Sequence, residues 1–367
     1  MIDSNNKSPL IKTPIKVGVI GAGMVSQLAH LPAISRTLGL NLVAIADLDE
    51  ALASQVARRY NVKRVYSSHT LLLDDLDIDA VVIVTHRNTT AAVVRDALLR
   101  GKNVLSEKPM AMTLPVAQEL SKLASQRGLV YAVGFMKRYD FGVMRTRKLM
   151  ADLLSSQRLG RLIHVRGKNF CAEYVGYCED YLRSESRAVL PTVPISPMVP
   201  EWLDPELARK YDWFANVGLH SINLLRYLLG NALTVRHAVL HYENSASVLF
   251  DAGAVPVSFD IGRAATGHWE ESFEFFFERG RLKLELTSLK QRDRCAAVTL
   301  DENIGDAKTT YWGHDTTQPW SFTRQMQAFA DAVSGRGDAL LASAEDSLND
   351  MELMDNIFKI GQENKHG

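Results

Sequence analysis

Residues 16–20, Lys-Val-Gly-Val-Ile, form a short apolar run that ends directly on Gly21-Ala22-Gly23. A buried strand closing on a glycine turn, with a helix-like stretch to about Leu38 behind it, commits the first third of the chain to one architecture. The pattern then repeats. Residues 41–46 form a second strand and a helix starts near Asp49. Ala80-Val-Val-Ile-Val84 is a continuous β-branched run, too apolar to face water on either side. Such runs belong in a parallel sheet covered by helices on both faces. A helix over 90–100 stops at Gly101, the strand 103–105 follows, and Thr113 and Pro115 open a helix that Gly128 closes. Val130 to Phe135 gives the last strand. The expectation is an α/β fold: a doubly wound parallel sheet over residues 14–139.

The pattern changes after Tyr139. Residues 162–170, 234–241, 246–250, 255–261, 270–278, 281–287 and 295–300 read as strands with short links, with Glu278-Arg279-Gly280-Arg281 as a hairpin turn. Consecutive strands joined this way predict an antiparallel sheet, interrupted by one marked helix at about 213–229. The second unit is expected over 140–342. A C-terminal helical stretch, 343–367, is expected to pack back on the first unit. Residues 171–212 are proline-rich and irregular, and loops of that length are usually functional or mobile.

At 367 residues the chain is too long for one ordinary core, which agrees with two units. Lys plus Arg and Asp plus Glu both number 42, so no overall field favours nucleic acid or an anionic membrane. Arg138, Arg145, Arg147 and Lys148 form either a local basic patch or, more plainly, a solvated helix face. Cys171, Cys178 and Cys295 form no CxxC pair, which suits a reducing compartment. Met1 to Lys16 lacks the apolar core of a secretion signal, and no run approaches membrane-spanning length. The expectation is a cytoplasmic protein. His237 and His241 share a strand face without a carboxylate cluster, so no metal site is expected.

Gly21-Ala22-Gly23-Met24-Val25-Ser26 matches a dinucleotide fingerprint with Ser at the third glycine position. The first glycine allows the tight turn, and the second lets the backbone approach a pyrophosphate at the helix N-terminus. Asp47, ending the second strand, stands where a carboxylate accepts hydrogen bonds from the adenosine ribose and repels a 2′-phosphate. With Asp49 and Glu50 nearby, NAD(H) is expected in preference to NADP(H). Asp47 also suits a cap for the following helix. Expected cofactor contacts are Gly21, Gly23, Met24, Val25, Asp47, Thr85, His86, Asn88, Glu107 and Lys108. Lys108 follows a strand of the same sheet and so faces the crevice beyond the strand ends. There its ammonium can stabilise charge on a substrate oxygen, or simply pair with Glu107. On the helix 213–229, Asn216, His220 and Asn223 are spaced by four and three residues and fall on one face. A polar stripe on an apolar helix requires partners or a wet cleft. His220 is the candidate for proton transfer, with a satisfied core histidine as the plainer alternative.

With these residues assembled, the chain resembles the glucose-fructose oxidoreductase / inositol dehydrogenase / MocA family over nearly its whole length. The carriers are Val17-Gly18-Val19-Ile20-Gly21-Ala22-Gly23, Ala46-Asp47, the stretch from Gly101 to Pro109 containing Glu107-Lys108-Pro109, and Val217-Gly218-Leu219-His220. The resemblance implies an N-terminal Rossmann domain and a C-terminal domain with a large open antiparallel sheet, through which members commonly oligomerise, so a homo-dimer or homo-tetramer is expected. It also implies a sugar, polyol or nucleotide-linked sugar substrate, with Lys108 and His220 contacting the reacting oxygen. Arg138 and Tyr139 are implied as substrate contacts, beside Asn216 and Asn223. The departures are Asn216 and Asn223, where the family usually or often has Asp, and His86 and Thr90, where it usually has Pro and His. An amide cannot stabilise an imidazolium as a carboxylate does, so His220 is expected to be the weaker base. The departures also open a second reading: a non-redox member using NAD for elimination or hydrolysis, or a sugar-binding or scaffold subunit.

Overall fold

The computed structural model describes residues 13–171, 180–184, 192–230, 233–240, 245–263, 269–288, 291–337 and 341–364. Its first sheet is built from β1 (Ile15–Ile20), β2 (Leu40–Ala46), β3 (Arg64–Tyr66), β4 (Ala80–Ile83), β5 (Asn103–Ser106) and β6 (Tyr131–Val133). These strands are all parallel, in the order β3-β2-β1-β4-β5-β6. The order reverses between β1 and β4, which opens a crevice beyond their carboxyl ends. α1 (Leu31–Ser35) continues from a π-type stretch, Ser26–His30, and is followed by α2 (Glu50–Arg59), α3 (His69–Leu73), α4 (Arg87–Leu99) and α5 (Leu114–Arg127). Local chemistry fixes these helices. Asp49 and Ser68 cap α2 and α3 through their side chains, and Gly128 closes α5 in the left-handed conformation.

A 3₁₀ turn, Met136–Tyr139, leads from β6 into α6 (Phe141–Ser156), whose N-terminus Asp140 caps. β7 (Leu162–Cys171) and α7 (Ala208–Leu229) follow. Then come β8 (Leu233–Val239), β9 (Ser245–Ala252), β10 (Val255–Arg263), β11 (Glu270–Phe277), β12 (Gly280–Leu286), β13 (Ala297–Ile304) and β14 (Asp306–Trp312). The second sheet runs β14-β13-β12-β11-β7-β10-β9-β8. It is mixed rather than wholly antiparallel, because β7 and β10 pair in parallel, from Val165 opposite Val257 to Cys171 opposite Arg263. The connection between them carries α7 and the β8–β9 pair, long enough for a crossover.

One face of this sheet carries Val165, Phe259, Phe273, Phe275, Leu282 and Leu284, all buried against the helices. Each such ring or branched side chain contributes about 1.5–3 kcal/mol when removed from water. Gly167 on β7 makes room for them, since a Cβ there would lie 3.0 Å from Phe259 and 3.1 Å from Phe273. The opposite face carries charges, with Lys168 paired to Glu270 and Arg281 to Asp301.

Two C-terminal helices return to the first sheet. α8 (Ser321–Val333) packs Phe322, Met326 and Phe329 against Leu31 and Ile34. α9 (Ala344–Glu363) lies against α5, α7 and β8, and the residues before it bond to the edge of β6 through Val133 N and Ala342 O at 2.8 Å. No helix of the described residues is long and apolar enough to cross a membrane. The expected strands at 234–241 and elsewhere lie within a residue or a few of those observed, but His241 and Cys178 fall outside the described residues, as do 172–179 and 185–191 within the irregular segment 171–212.

Candidate active site

The glycine turn after β1 requires its glycine. Gly21 has φ +98°, and a Cβ there would sit 2.2 Å from the Val84 carbonyl oxygen. Gly23 faces open space, with nothing within 4 Å of where a Cβ would stand. The turn is braced from β2, where Asp47 accepts from Ala22 N at 2.7 Å and from Asp49 N at 2.9 Å. Asp49 rather than Asp47 caps α2. Ser26 at the third fingerprint position is fully buried under the crevice. The open backbone at Gly23, the helix behind it and the carboxylate at the end of β2 fit a dinucleotide. Residues 180–184 run over the same side: Leu182 exchanges two hydrogen bonds with the Gln27 side chain, at 2.8 and 2.9 Å, and Ser184 donates to Asp49.

A cavity of 540 Å³ extends from this turn into the cleft between the two sheets. Gly23, Met24, Val25, Thr85, His86 and Glu107 form its first part, and Lys108, Lys137, Asn216, His220, Trp213 and Trp269 its second. Gly21, Asp47 and Asn88 lie beside the cavity rather than in its wall. Asn88 bonds His86 Nδ1 at 2.7 Å and accepts at its carbonyl from Ser196 N, also at 2.7 Å. Arg87 crosses the cleft to Asp212 at 2.5 Å and so ties the start of α4 to α7.

β5 delivers Glu107 and Lys108 to the middle of the cavity. Burial opposes ionisation of Glu107, but the His30 side chain at 2.7 Å and the neighbouring Lys108 outweigh it and hold the carboxyl below its ordinary range. Glu107 is thus engaged by His30, and Lys108 reaches across to α7, donating to the Asn216 carbonyl and, at 3.3 Å, to its side-chain oxygen. His220 stands one turn further along α7, buried, with its ring edge-on to Phe135 at 6.0 Å. Its Nδ1 has no hydrogen-bond partner among the described residues. Burial first, then the ammonium groups of Lys108 and Lys137, push the imidazole well below its ordinary value of 6.5. His220 is therefore neutral at physiological pH, with two cations near it and, among the described residues, no carboxylate that favours its charged form.

Three expected substrate residues are elsewhere. Arg138, Tyr139 and Asn223 are all buried away from the cavity. Arg138 donates to Asn223 Oδ1 at 2.8 Å and pairs with Asp346 at 2.6 Å; Asn223 donates to Asp350 at 2.7 Å, and Arg226 pairs with both aspartates. The physical reason is helix length. A helix rises about 1.5 Å per residue, so a shared face does not keep Asn216 and Asn223 in one environment: the second is about 10 Å further on, beyond the cleft. The basic cluster expected as one solvated face is split in the same way, with Arg147 and Lys148 exposed on α6 and Arg138 in this buried network.

Sequence reasoning misses Lys137. It points into the cavity from the 3₁₀ turn, while its neighbour Arg138 points into the ionic core. Its ammonium contacts both oxygens of Glu271, at 2.7 and 2.5 Å. Ser221 and Asn169 extend the chain, Ser221 Oγ donating to Glu271 at 3.1 Å and Asn169 Nδ2 to Ser221 at 2.8 Å. The only signal for it in the sequence is its place just past the last strand of the first sheet.

Comparison with known proteins bears on the fold and on the first sheet's family. Residues 15–135 match the model of an oxidoreductase family with an NAD-binding Rossmann fold, GFO_IDH_MocA. The chain is 36% identical over 155 residues to an inositol 2-dehydrogenase/D-chiro-inositol 3-dehydrogenase of Lacticaseibacillus casei, a match that covers 41% of this chain and 44% of that relative. It thus spans less than half the length of that protein. An inositol 2-dehydrogenase of Rhizobium meliloti is 24% identical over 356 residues, covering 93% of this chain and 95% of the relative. Among solved structures, the 3-ketoreductase KijD10 of Actinomadura kijaniata, in complex with NADP and TDP-benzene, superposes with a TM-score of 0.72 at 22% identity, over 95% of this chain and 98% of that one. That likeness shows a shared fold along both sheets. Residues 15–135, with the glycine turn and the Glu-Lys-Pro strand, carry the NAD-binding Rossmann unit of the GFO_IDH_MocA oxidoreductase family, and the rest of the chain is similar to its relatives in fold.

Proposed function

We propose that this protein is a nicotinamide-dependent oxidoreductase acting on a secondary alcohol or ketone of a sugar, polyol or nucleotide-linked sugar. The observation that carries the reading is convergence: Lys108 from β5 and His220 from α7 line the same cavity as Gly23, Met24 and Val25. The inositol dehydrogenases and the 3-ketoreductase named above suggest the substrate class. Asp47, held at the end of β2, supports NAD(H) over NADP(H). The division into a nucleotide unit at 14–139, a substrate unit at 140–342 and a returning C-terminal helix belongs to the same proposal, as does assembly into a homo-dimer or homo-tetramer.

A bound nicotinamide would supply or take up the hydride at its C4. Lys108 donates from Nζ to the reacting oxygen and stabilises the negative charge that builds there. In reduction the same Nζ passes its proton to that oxygen; oxidation reverses the transfer. His220 orients the oxygen as a neutral partner. With an amide at Asn216 and two ammonium groups near the ring, an imidazolium is not stabilised there, so the proton is held on Lys108. Asn216 positions the lysine through its carbonyl and side-chain oxygens.

The experiment is NADH absorbance against a panel of inositols, hexoses and nucleotide-linked ketosugars, for the wild type and Lys108→Met. Turnover is expected in the wild type. The variant should lose about 10²–10⁴-fold in kcat/KM while its cofactor Kd stays unchanged. Unaffected turnover in Lys108→Met would end this assignment.

A further inference from the structure

Lys137 is an expensive residue for this position if its role is only to brace the cleft. An ammonium and a carboxylate buried together gain little over apolar side chains of similar volume. Yet Lys137 is buried in the cavity wall and Glu271 behind it is 2% exposed. Glu271 is also fully engaged, by both Lys137 contacts and by Ser221, which Asn169 in turn supports. An ammonium has three N–H donors and no acceptor. Two of them meet Glu271, and among the described residues the third has no protein partner and is left for the cavity, where the Trp269 ring stands 5.4 Å from Nζ. A charged donor locked in direction by a carboxylate, beside an aromatic surface, is suited to one hydroxyl of a carbohydrate ring resting on that surface.

We propose that Lys137 is a specificity-determining substrate residue, whose third N–H binds a hydroxyl other than the one that reacts, with Glu271, Ser221 and Asn169 fixing its direction. This deepens the oxidoreductase reading and rests on it. It identifies the substrate as a polyol or sugar carrying at least two hydroxyls on the face turned to the second sheet, one for Lys108 and one for Lys137. A plain secondary alcohol satisfies the first site and leaves the second unfilled.

The test compares substrates within each protein, so that a general loss of activity cancels. The probes are myo-inositol and its mono-deoxy analogues, read by kcat/KM and by quenching of tryptophan fluorescence in the cofactor-bound protein. In the wild type, removal of one particular non-reacting hydroxyl should cost about 10- to 100-fold in kcat/KM. In Lys137→Met/Glu271→Gln, which leaves no unpaired buried charge, that ratio should fall close to unity. Lys137→Gln, which keeps a neutral donor against Glu271, should retain part of it and serves where the double variant does not fold. A ratio unchanged in either folded variant overturns the proposal, because a purely structural lysine lowers all the rates together. Absence of both binding and turnover in the wild type with every inositol, hexose and nucleotide-linked ketosugar of the panel overturns the oxidoreductase reading and this proposal with it.

Discussion

Replacing His220 by Gln should flatten the pH dependence of folding stability. The imidazole titrates near 6.5 in an unfolded chain, whereas burial and the ammonium groups of Lys108 and Lys137 hold it well below that in the folded protein. As pH falls through 6.5, the unfolded state takes up a proton on this ring and the folded state does not. Its contribution to stability is therefore intact above that pH and lost below it, until the folded ring itself protonates. One proton is worth about 1.4 kcal/mol per pH unit at the steepest. Between about pH 7.5 and about pH 5.5, the difference in unfolded-state protonation amounts to about 1.4 kcal/mol. Urea unfolding of the cofactor-free protein at those two pH values measures it. The chain has 10 histidines, and subtracting the variant's pH dependence from that of the wild type removes the other nine. The wild type should lose about 1.4 kcal/mol more than His220→Gln. Equal pH dependence in the two proteins would refute the neutral, desolvated imidazole and with it the assignment of the proton to Lys108.

Asp47→Asn removes the charge at the end of β2 but keeps an acceptor for Ala22 N, so the preference for NAD over NADP in kcat/KM should fall by about tenfold or more; an unmoved ratio contradicts the role given to Asp47. Asp350→Ala strips a buried carboxylate from Arg226 and Asn223, and should destabilise the protein by about 3–5 kcal/mol in urea unfolding, with Asp350→Asn intermediate. A loss under about 1 kcal/mol for Asp350→Ala would show that the network carries little of the contact between α7 and α9.

The first sheet is legible in the sequence because its strands are unbroken apolar runs. Ala80-Val-Val-Ile-Val84 admits no solvated face, and glycines with positive φ at 21, 101 and 128 punctuate the chain where it turns. β14 is not legible, because it is an edge strand with most of its residues exposed and a sequence, Asp-Ala-Lys-Thr-Thr-Tyr-Trp, without apolar alternation. The parallel pairing of β7 with β10 is hidden for another reason: partner choice depends on where α7 crosses, which no local pattern records. α6 does not stand out as a separate element beside its basic residues. In the site, the glycine turn, Lys108 and His220 stand out in the sequence because each belongs to a local pattern, a glycine turn, a strand end and a polar stripe on an apolar helix, whereas the contacts of Lys108 with Asn216 and of His220 with Phe135 arise only in the fold. Arg138 and Asn223 mislead because consecutive or helically spaced residues can enter different environments, as the opposite directions of Lys137 and Arg138 show. Half of the motive for a non-redox reading goes with Asn223, which is a partner of Arg138 and Asp350 and does not touch the cavity. Asn216 remains as the departure that bears on chemistry.

A crystal structure of the protein with NAD(H) bound would decide whether the two halves of the cleft serve one reaction. The pyrophosphate should lie over Gly23, and the nicotinamide C4 should face a position within about 3 Å of both Lys108 Nζ and the His220 ring. A nicotinamide turned away from those two groups, or a dinucleotide seated outside the Gly21–Gly23 crevice, would contradict it.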